Sequence, residues 1–310
     1  MIRRHYAERD RVPLWLLGAV NWQADGGARG ARFYAYAPDD GGWHTTGQAR
    51  AAGRDPSFSP QAAYSNVLWG SAVANKLIGK HLILADGRVS TDQQIAWDHG
   101  RATVSEAAPH PLEAAADAGI LHSTWGDALD DLSQRMTKGL RRSGISVPLL
   151  IEPADFGTPS FDDIAQIYRL PALDAHRMSL DLSIPASRDG DIEWLEKNKS
   201  TVAAVLCEVT VSNLDLMIIP VTLYQNTRRT GLTIINLTFD RFRKDTGAGT
   251  LGERALSFLK TGLRPSGGAA IGPDPIRAFC EETLGVTANT LRFGGSEAQL
   301  KDLRTRAATL

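Results

Sequence analysis

Three stretches in the second half of the chain decide the predicted fold: MSLDLSI at residues 178–184, VLCEVTVS at residues 205–212 and LDLMIIPVTLYQNTRRTGLTIINLTFD at residues 214–240. In the first two, apolar and polar residues alternate, which is the period of a β-strand with one buried face. The third contains two apolar runs separated by a polar segment, which is typical of a β-hairpin. The pattern therefore predicts a sheet of mostly antiparallel strands. Pro220 predicts that the first hairpin strand lies at a sheet edge or carries a bulge.

Working outward, a buried strand is predicted at residues 147–151, and two N-terminal strands at 14–17 and 31–36 around a glycine-rich connection. Residues 39–60 are dense in Gly, Pro and small polar residues, which predicts a loop. Apolar residues at helical spacing predict helices at the following positions: 61–84, 127–142, 160–168, 191–199, 251–261, 275–284 and 296–308.

Together these elements predict the α+β class. A mostly antiparallel sheet with packed helices is preceded by an N-terminal β-hairpin region and followed by a helical C-terminal tail. The predicted segments are an N-terminal hairpin and helical region at 1–145, a β-rich sheet domain at 146–244, and a Gly-rich connection with a helical tail at 245–310. The three segments are also compatible with one domain.

The composition is that of an ordinary soluble globular protein. Of the 310 residues, 43% are apolar and 22% are charged, and the net charge is −1. No global field attracts nucleic acid or an acidic membrane, so such a contact requires a local patch. Cys207 and Cys280 have no CxxC partner and lie in apolar patterns, which favours small buried side chains over a metal or disulfide framework.

The N-terminal segment does not match a secretory signal. Arg3 and Arg4 precede an apolar run at residues 12–20, but Glu8 and Asp10 interrupt the basic part. No segment has the apolar length needed to span a bilayer. These features predict a cytoplasmic protein without a membrane partner.

A basic cluster at the predicted hairpin is the first candidate site. Arg228 and Arg229 lie at the predicted tip, and four residues follow the second strand: Arg241, Phe242, Arg243 and Lys244. Basic side chains bind phosphates, aromatic rings stack on bases, and a two-stranded ribbon fits a groove or follows a single strand. The alternative interpretation is a solvated Arg-rich turn that protects a sheet edge from association.

A pair of carboxylates, Asp181 and Glu208, is the second candidate site. Each lies on the polar face of an alternating strand, and on neighbouring strands the two could hold Mg²⁺ as hard oxygen ligands. The motif Glu208-Val209-Thr210 has Thr where the Asp…Glu-x-Lys layout of restriction-type nucleases has Lys, so no family is assigned. The alternative interpretation is two unrelated acids on the wet face of a sheet.

The sequence contains no complete catalytic, nucleotide-binding or zinc motif. The leading hypothesis is therefore a non-catalytic binding or assembly subunit that contacts nucleic acid through the basic β-hairpin. It requires no cofactor and predicts a protein partner or a homo-oligomer as well. The alternative hypothesis is a metal-dependent hydrolase or nuclease that uses Asp181 and Glu208 with Mg²⁺.

Overall fold

β-Strands dominate the structure. The computed structural model describes residues 5–24, 26–105, 110–137, 146–212, 215–227 and 231–240, except for the side chains of residues 211, 212 and 215. Of the described residues, 51% lie in strands and 23% are helical. The predicted α+β class is therefore wrong, because the chain forms several sheets with few helices.

The strands, in chain order, are β1 Tyr6–Gln23, β2 Arg29–Ala37, β3 Gly42–Arg50, β4 Val67–Leu68, β5 Ala72–Val73, β6 His81–Ser90, β7 Arg101–Val104, β8 Leu121–His122, β9 Val147–Ile151, β10 Asp155–Phe156, β11 Ser160–Asp162, β12 Ile167–Leu173, β13 Ser179–Pro185, β14 Val202–Ser212, β15 Asp215–Thr227 and β16 Gly231–Asn236. The α-helices are α1 Pro60–Ser65, α2 Ala74–Leu77, α3 Pro111–Asp117, α4 Trp125–Thr137, α5 Asp189–Asn198 and α6 Leu237–Asp240.

The first sheet is built from the N-terminal part of the chain. Its strand order is β3-β2-β1-β6-β7, and every pairing is antiparallel. The predicted N-terminal hairpin is confirmed as β1 and β2. Two of the other strands overturn sequence predictions, because β3 lies in the predicted loop and β6 begins inside the predicted helix at 61–84.

The second sheet has nine strands in the order β10-β12-β13-β15-β14-β9-β8, with β11 beside β12 and β16 beside β15. Its pairings are antiparallel except for β13 with β15 and β8 with β9. The predicted hairpin is confirmed as β15 and β16. Pro220 pairs with Cys207, and the register shifts directly after it because Leu206 pairs with Thr222, so the predicted bulge is present. β15 is not an edge strand, since it has partners on both sides.

The two sheets pack face to face. A buried cluster between them joins Leu17, Val20 and Tyr34 of the first sheet to Leu206 and Val221 of the second. A second cluster lies under α1 and α2 on the outer face of the first sheet. A third lies under α4 and α5 on the outer face of the second sheet. The sandwich therefore buries both faces of its central strands.

Two helix predictions are wrong. The predicted helix at 61–84 divides into α1, β4, β5 and α2, with Gly70 and Gly79 at positive φ between the pieces. The predicted helix at 160–168 is the β11–β12 hairpin. Its turn forms because the Asp162 carboxylate accepts the backbone N–H groups of Ile164 and Ala165. An acidic side chain that bonds to its own turn competes with helix formation.

The helices at 127–142 and 191–199 correspond to α4 and α5, although residues 138–142 lie outside the described part of the chain. Cys207 is buried as predicted. Cys280 and the predicted elements at 245–310 also lie outside it. No helix that the structure describes is both long enough and apolar enough to cross a bilayer.

His44 of β3 should make stability depend on pH. The side chain is buried, and burial lowers the pKa of its imidazole more than the Asp40 carboxylate, 3.6 Å away, raises it. The folded protein keeps His44 neutral, whereas the unfolded chain protonates it near pH ~6.5. Its stabilising effect is present above that pH and is lost as the pH falls below it.

We therefore expect the free energy of unfolding to fall more steeply between pH 7 and pH 5 in the wild type than in His44→Leu. The difference approaches about 1.4 kcal/mol per pH unit in the interval between the two pKa values. Urea titrations at several pH values measure it, with the exposed His5→Leu as control. Parallel curves for the wild type and His44→Leu would contradict the prediction.

Candidate ligand-binding cavity beside the hairpin

The structure describes the body of the predicted basic hairpin. Thr227 of β15 pairs with Gly231 of β16. In the sequence, Arg228 and Arg229 belong to the segment that connects these two strands. Both arginines lie outside the described residues, as do the four that follow Asp240: Arg241, Phe242, Arg243 and Lys244. The assignment of all six to nucleic-acid binding stays a prediction.

Two aromatic residues near this basic cluster belong to the core. Tyr224 is fully buried, and its hydroxyl donates to the carbonyl of Leu17 across the two sheets. Phe239 of α6 is also buried and stacks on Tyr64 with ring centroids 4.0 Å apart. Neither ring is free to stack on a base.

Asp181 and Glu208 are not on neighbouring strands. Asp181 lies on β13 and Glu208 on β14, and β15 lies between those strands. Asp181 is exposed, whereas the Glu208 carboxylate accepts a hydrogen bond from the Arg32 guanidinium at 2.5 Å. No group of three or more His, Cys, Asp or Glu side chains in the described ranges is placed to hold a metal ion. The use of these two acids with Mg²⁺ stays a prediction.

The Arg32–Glu208 pair joins the two sheets. The Arg32 guanidinium also donates to Ser146 at 2.7 Å and lies over the Trp22 ring at 5.8 Å. Tyr34 is fully buried beside the pair, and burial raises the pKa of its phenol far above the ordinary value, with Glu208 raising it further. A polar group buried between sheets needs such partners, so this arrangement explains Glu208 as a packing residue.

A cavity of about 540 Å³ lies along β16. Its walls are partly apolar, with Ile78, Pro111, Leu232, Ile234 and Ile235 among the lining residues. A mixture of apolar walls and a few convergent polar groups is typical of small-molecule sites.

A hydrogen-bonded network lines the end of the cavity next to α6. The Tyr64 hydroxyl donates to the Asp240 carboxylate, whose oxygens lie 3.1 and 3.2 Å away. Asn236 donates to Asp240 from its backbone at 2.9 Å and to the Tyr64 oxygen from its amide, also at 2.9 Å. Asn236 is buried and accepts the backbone N–H of Ala19. The network fixes Asp240, the last described residue before the basic segment.

Exposed side chains form the rim of the cavity. Lys76, Lys80 and His110 line the cavity and are exposed. Among the described residues, neither lysine has a carboxylate within 4.0 Å, the distance that defines a salt bridge. The two lysines therefore present cationic groups at the rim that have no carboxylate partner in the described part of the chain.

A glycine turn positions the two lysines. Gly79 has φ +79°, a conformation that glycine adopts readily, and its backbone N–H donates to the carbonyl of Leu16 at 2.6 Å. A Cβ at this position would lie 2.3 Å from Cδ1 of Ile234, so glycine lets the turn lie this close to β16 without displacing that side chain. The sequence pattern does not reveal this site, since it predicts a single helix over residues 61–84. The only available signal was Gly79 between two lysine-bearing segments.

Removing the Tyr64 hydroxyl should destabilise the cavity wall. In Tyr64→Phe the Asn236 amide and the Asp240 carboxylate each lose one hydrogen bond, and a hydrogen bond to a charged group contributes about 1.5–3 kcal/mol. We expect a lower urea midpoint for Tyr64→Phe. Tyr168→Phe is the control, because no hydrogen bond joins that hydroxyl to another described residue. Equal midpoints for the two variants would contradict the role given to the network.

Comparison with known proteins gives no family. No protein-family model matches the chain, and no curated protein matches it. Solved structures with a weak likeness include one described as "Structural mimicry for functional antagonism", with a TM-score of 0.31, 8% identity, and coverage of 70% of this chain and 92% of that chain.

Two others are described as "Molecular basis for abrogation of activation of pro-inflammatory cytokines" and "p202 HIN1 in complex with 12-mer dsDNA". The first has a TM-score of 0.30 and 9% identity, and covers 76% of this chain and 97% of its own. The second has a TM-score of 0.31 and 8% identity, and covers 76% of this chain and 96% of its own. Likenesses this weak carry no argument about this chain.

Proposed function

We propose that this chain is a non-catalytic binding or assembly subunit that contacts nucleic acid through the basic β-hairpin and the cavity beside it. The observation that carries the proposal is the pair of exposed lysines, Lys76 and Lys80, which line the same cavity as β16 of that hairpin. Lysine binds phosphate as a point charge, and a cation without a carboxylate partner is available for that role.

The charge distribution supports a local contact. The whole chain has a net charge of −1, so attraction to a polyanion has to come from a patch. The cavity supplies Lys76 and Lys80, and Arg228 and Arg229 follow β15 in the sequence. Phosphate contacts of this kind produce affinity that falls as salt rises.

Binding to short labelled DNA and RNA at low and moderate salt, with Mg²⁺ present, tests the proposal. We expect salt-sensitive binding without cleavage, and weaker binding with a flatter salt dependence in the double variant Arg228→Ala/Arg229→Ala. Unchanged affinity in that variant would remove the hairpin tip from the proposal. Cleavage of the oligonucleotide would contradict a non-catalytic role and direct attention to Asp181 and Glu208.

A further inference from the structure

We infer that the cavity beside β16 holds one unstacked nucleotide of a single-stranded nucleic acid. The inference rests on the proposed function and names the kind of nucleic acid that the site takes. Three features of the cavity support it: its concave shape, its combination of apolar lining with a cationic rim, and an acceptor at its end.

The shape favours a nucleotide over a duplex. At about 540 Å³, the cavity lies within the range of about 300–1,000 Å³ that small-molecule sites occupy. Duplex DNA is read by protruding helices or strands that enter a groove about 12 Å wide, which a concave site cannot do. A paired base is held inside the stack and reaches a pocket only after extrusion, whereas a base in a single strand is already free.

The lining separates into the two parts that a nucleotide requires. Ile78, Pro111 and Leu232 supply apolar surface against which the face of a base can pack. Lys76 and Lys80 stand at the rim, where the phosphates of a continuing strand would pass. A bare phosphate would use only the rim, and a purely apolar ligand would leave the lysines unused.

Asp240 adds a preference for a donor group on the ligand. The Tyr64 hydroxyl has one hydrogen for two carboxylate oxygens, and both hydrogen bonds from Asn236 go to Oδ2. A carboxylate has about four acceptor positions, so Oδ1 retains capacity for a further donor once its partners in the described part of the chain are counted. An amino group of a base or a hydroxyl of the sugar fits this position, and a phosphate is repelled from it.

The experiment is a fluorescence anisotropy titration of the full chain. The probes are a labelled 12-nucleotide single strand, as DNA and as RNA, and blunt duplexes of the same sequence. Adenosine monophosphate and inorganic phosphate serve as unlabelled competitors at equal concentration. The variant is Lys76→Gln/Lys80→Gln, whose exposed positions keep the fold intact.

We expect at least tenfold tighter binding of a single strand than of its duplex. Adenosine monophosphate should displace the strand where inorganic phosphate does not, and the lysine variant should bind the strand about tenfold to a hundredfold more weakly. Equal or tighter duplex binding, or no competition by the mononucleotide, would overturn the inference. If the lysine variant still weakened binding in that case, the proposed function would stand. Absence of binding to every probe would overturn the proposed function and the inference together.

Discussion

Neutralising Lys76 and Lys80 together is expected to weaken nucleic-acid binding by about tenfold to a hundredfold at low salt. Both side chains are exposed at the rim of the cavity, and neither has a carboxylate partner in the described part of the chain. Glutamine keeps most of the side-chain length and removes only the charge. The loss of affinity would therefore report lost phosphate contacts.

The salt dependence makes this prediction specific. Each phosphate contact contributes a slope of about −0.7 to −0.9 to the plot of log affinity against log salt concentration. Losing two contacts should flatten that slope by roughly 1.5. The measurement is a set of binding isotherms at four or more salt concentrations for the wild type and Lys76→Gln/Lys80→Gln.

Lys197→Gln is the matched control. Lys197 is an exposed lysine on α5, which packs against β12 and β13 and not against β16. Its neutralisation changes the net charge without touching the cavity, so we expect a small effect on affinity and slope. An equal loss in this control would mean that only the overall charge matters, and the cavity would lose its assigned role.

Local sequence patterns predict the strands in which the alternation of apolar and polar residues decides which face is buried. Leu180, Leu182 and Ile184 were expected on one buried face of a strand, and they lie on the buried face of β13. The fourth member of that pattern, Met178, is 62% exposed because it precedes the strand in a turn. Alternation identifies a buried face well and the end of a strand poorly.

Long-range contacts determine the elements that the local sequence pattern does not predict. The hydrogen bond from Tyr64 to Asp240 joins residues 176 positions apart, and it fixes α1 against α6. Residues 61–84 have apolar spacing that suits a helix, but tertiary packing and the positive φ of Gly70 and Gly79 divide them. No local signal distinguishes that outcome from one weak helix.

The candidate site was hidden for the same reason. Exposed lysines are ordinary in any sequence, and Lys76 and Lys80 acquire meaning only because Gly79 brings their turn next to Ile234. Asp181 and Glu208 illustrate the converse. Their alternating patterns identify polar faces, but only the strand order shows that β15 lies between them.

Adding a single methyl group at Gly18 should be one of the most destabilising changes in the sandwich. Gly18 follows a register shift in β1 and lies against Thr222 and Leu206 of the second sheet. A Cβ there would lie 2.3 Å from Oγ1 of Thr222 and 2.7 Å from Cδ2 of Leu206. Both neighbours are fully buried, so neither has free space to move into.

Relief of this clash would also break a hydrogen bond. The Thr222 hydroxyl donates to Oδ1 of Asn236 at 2.9 Å, and the same oxygen accepts the backbone N–H of Ala19. Displacing Thr222 would therefore leave buried polar atoms without partners in addition to the overpacking. We expect Gly18→Ala to lower the free energy of unfolding by about 3 kcal/mol or more.

Gly126→Ala provides a control of opposite sign. Gly126 is exposed in the first turn of α4, and a Cβ built there has no described atom within 4 Å. Alanine in a helix is favoured over glycine by about 0.5–1 kcal/mol, so this variant should be slightly more stable than the wild type. Urea denaturation of both variants gives the comparison. A Gly18→Ala protein as stable as Gly126→Ala would mean that the two sheets are not in close contact at Gly18.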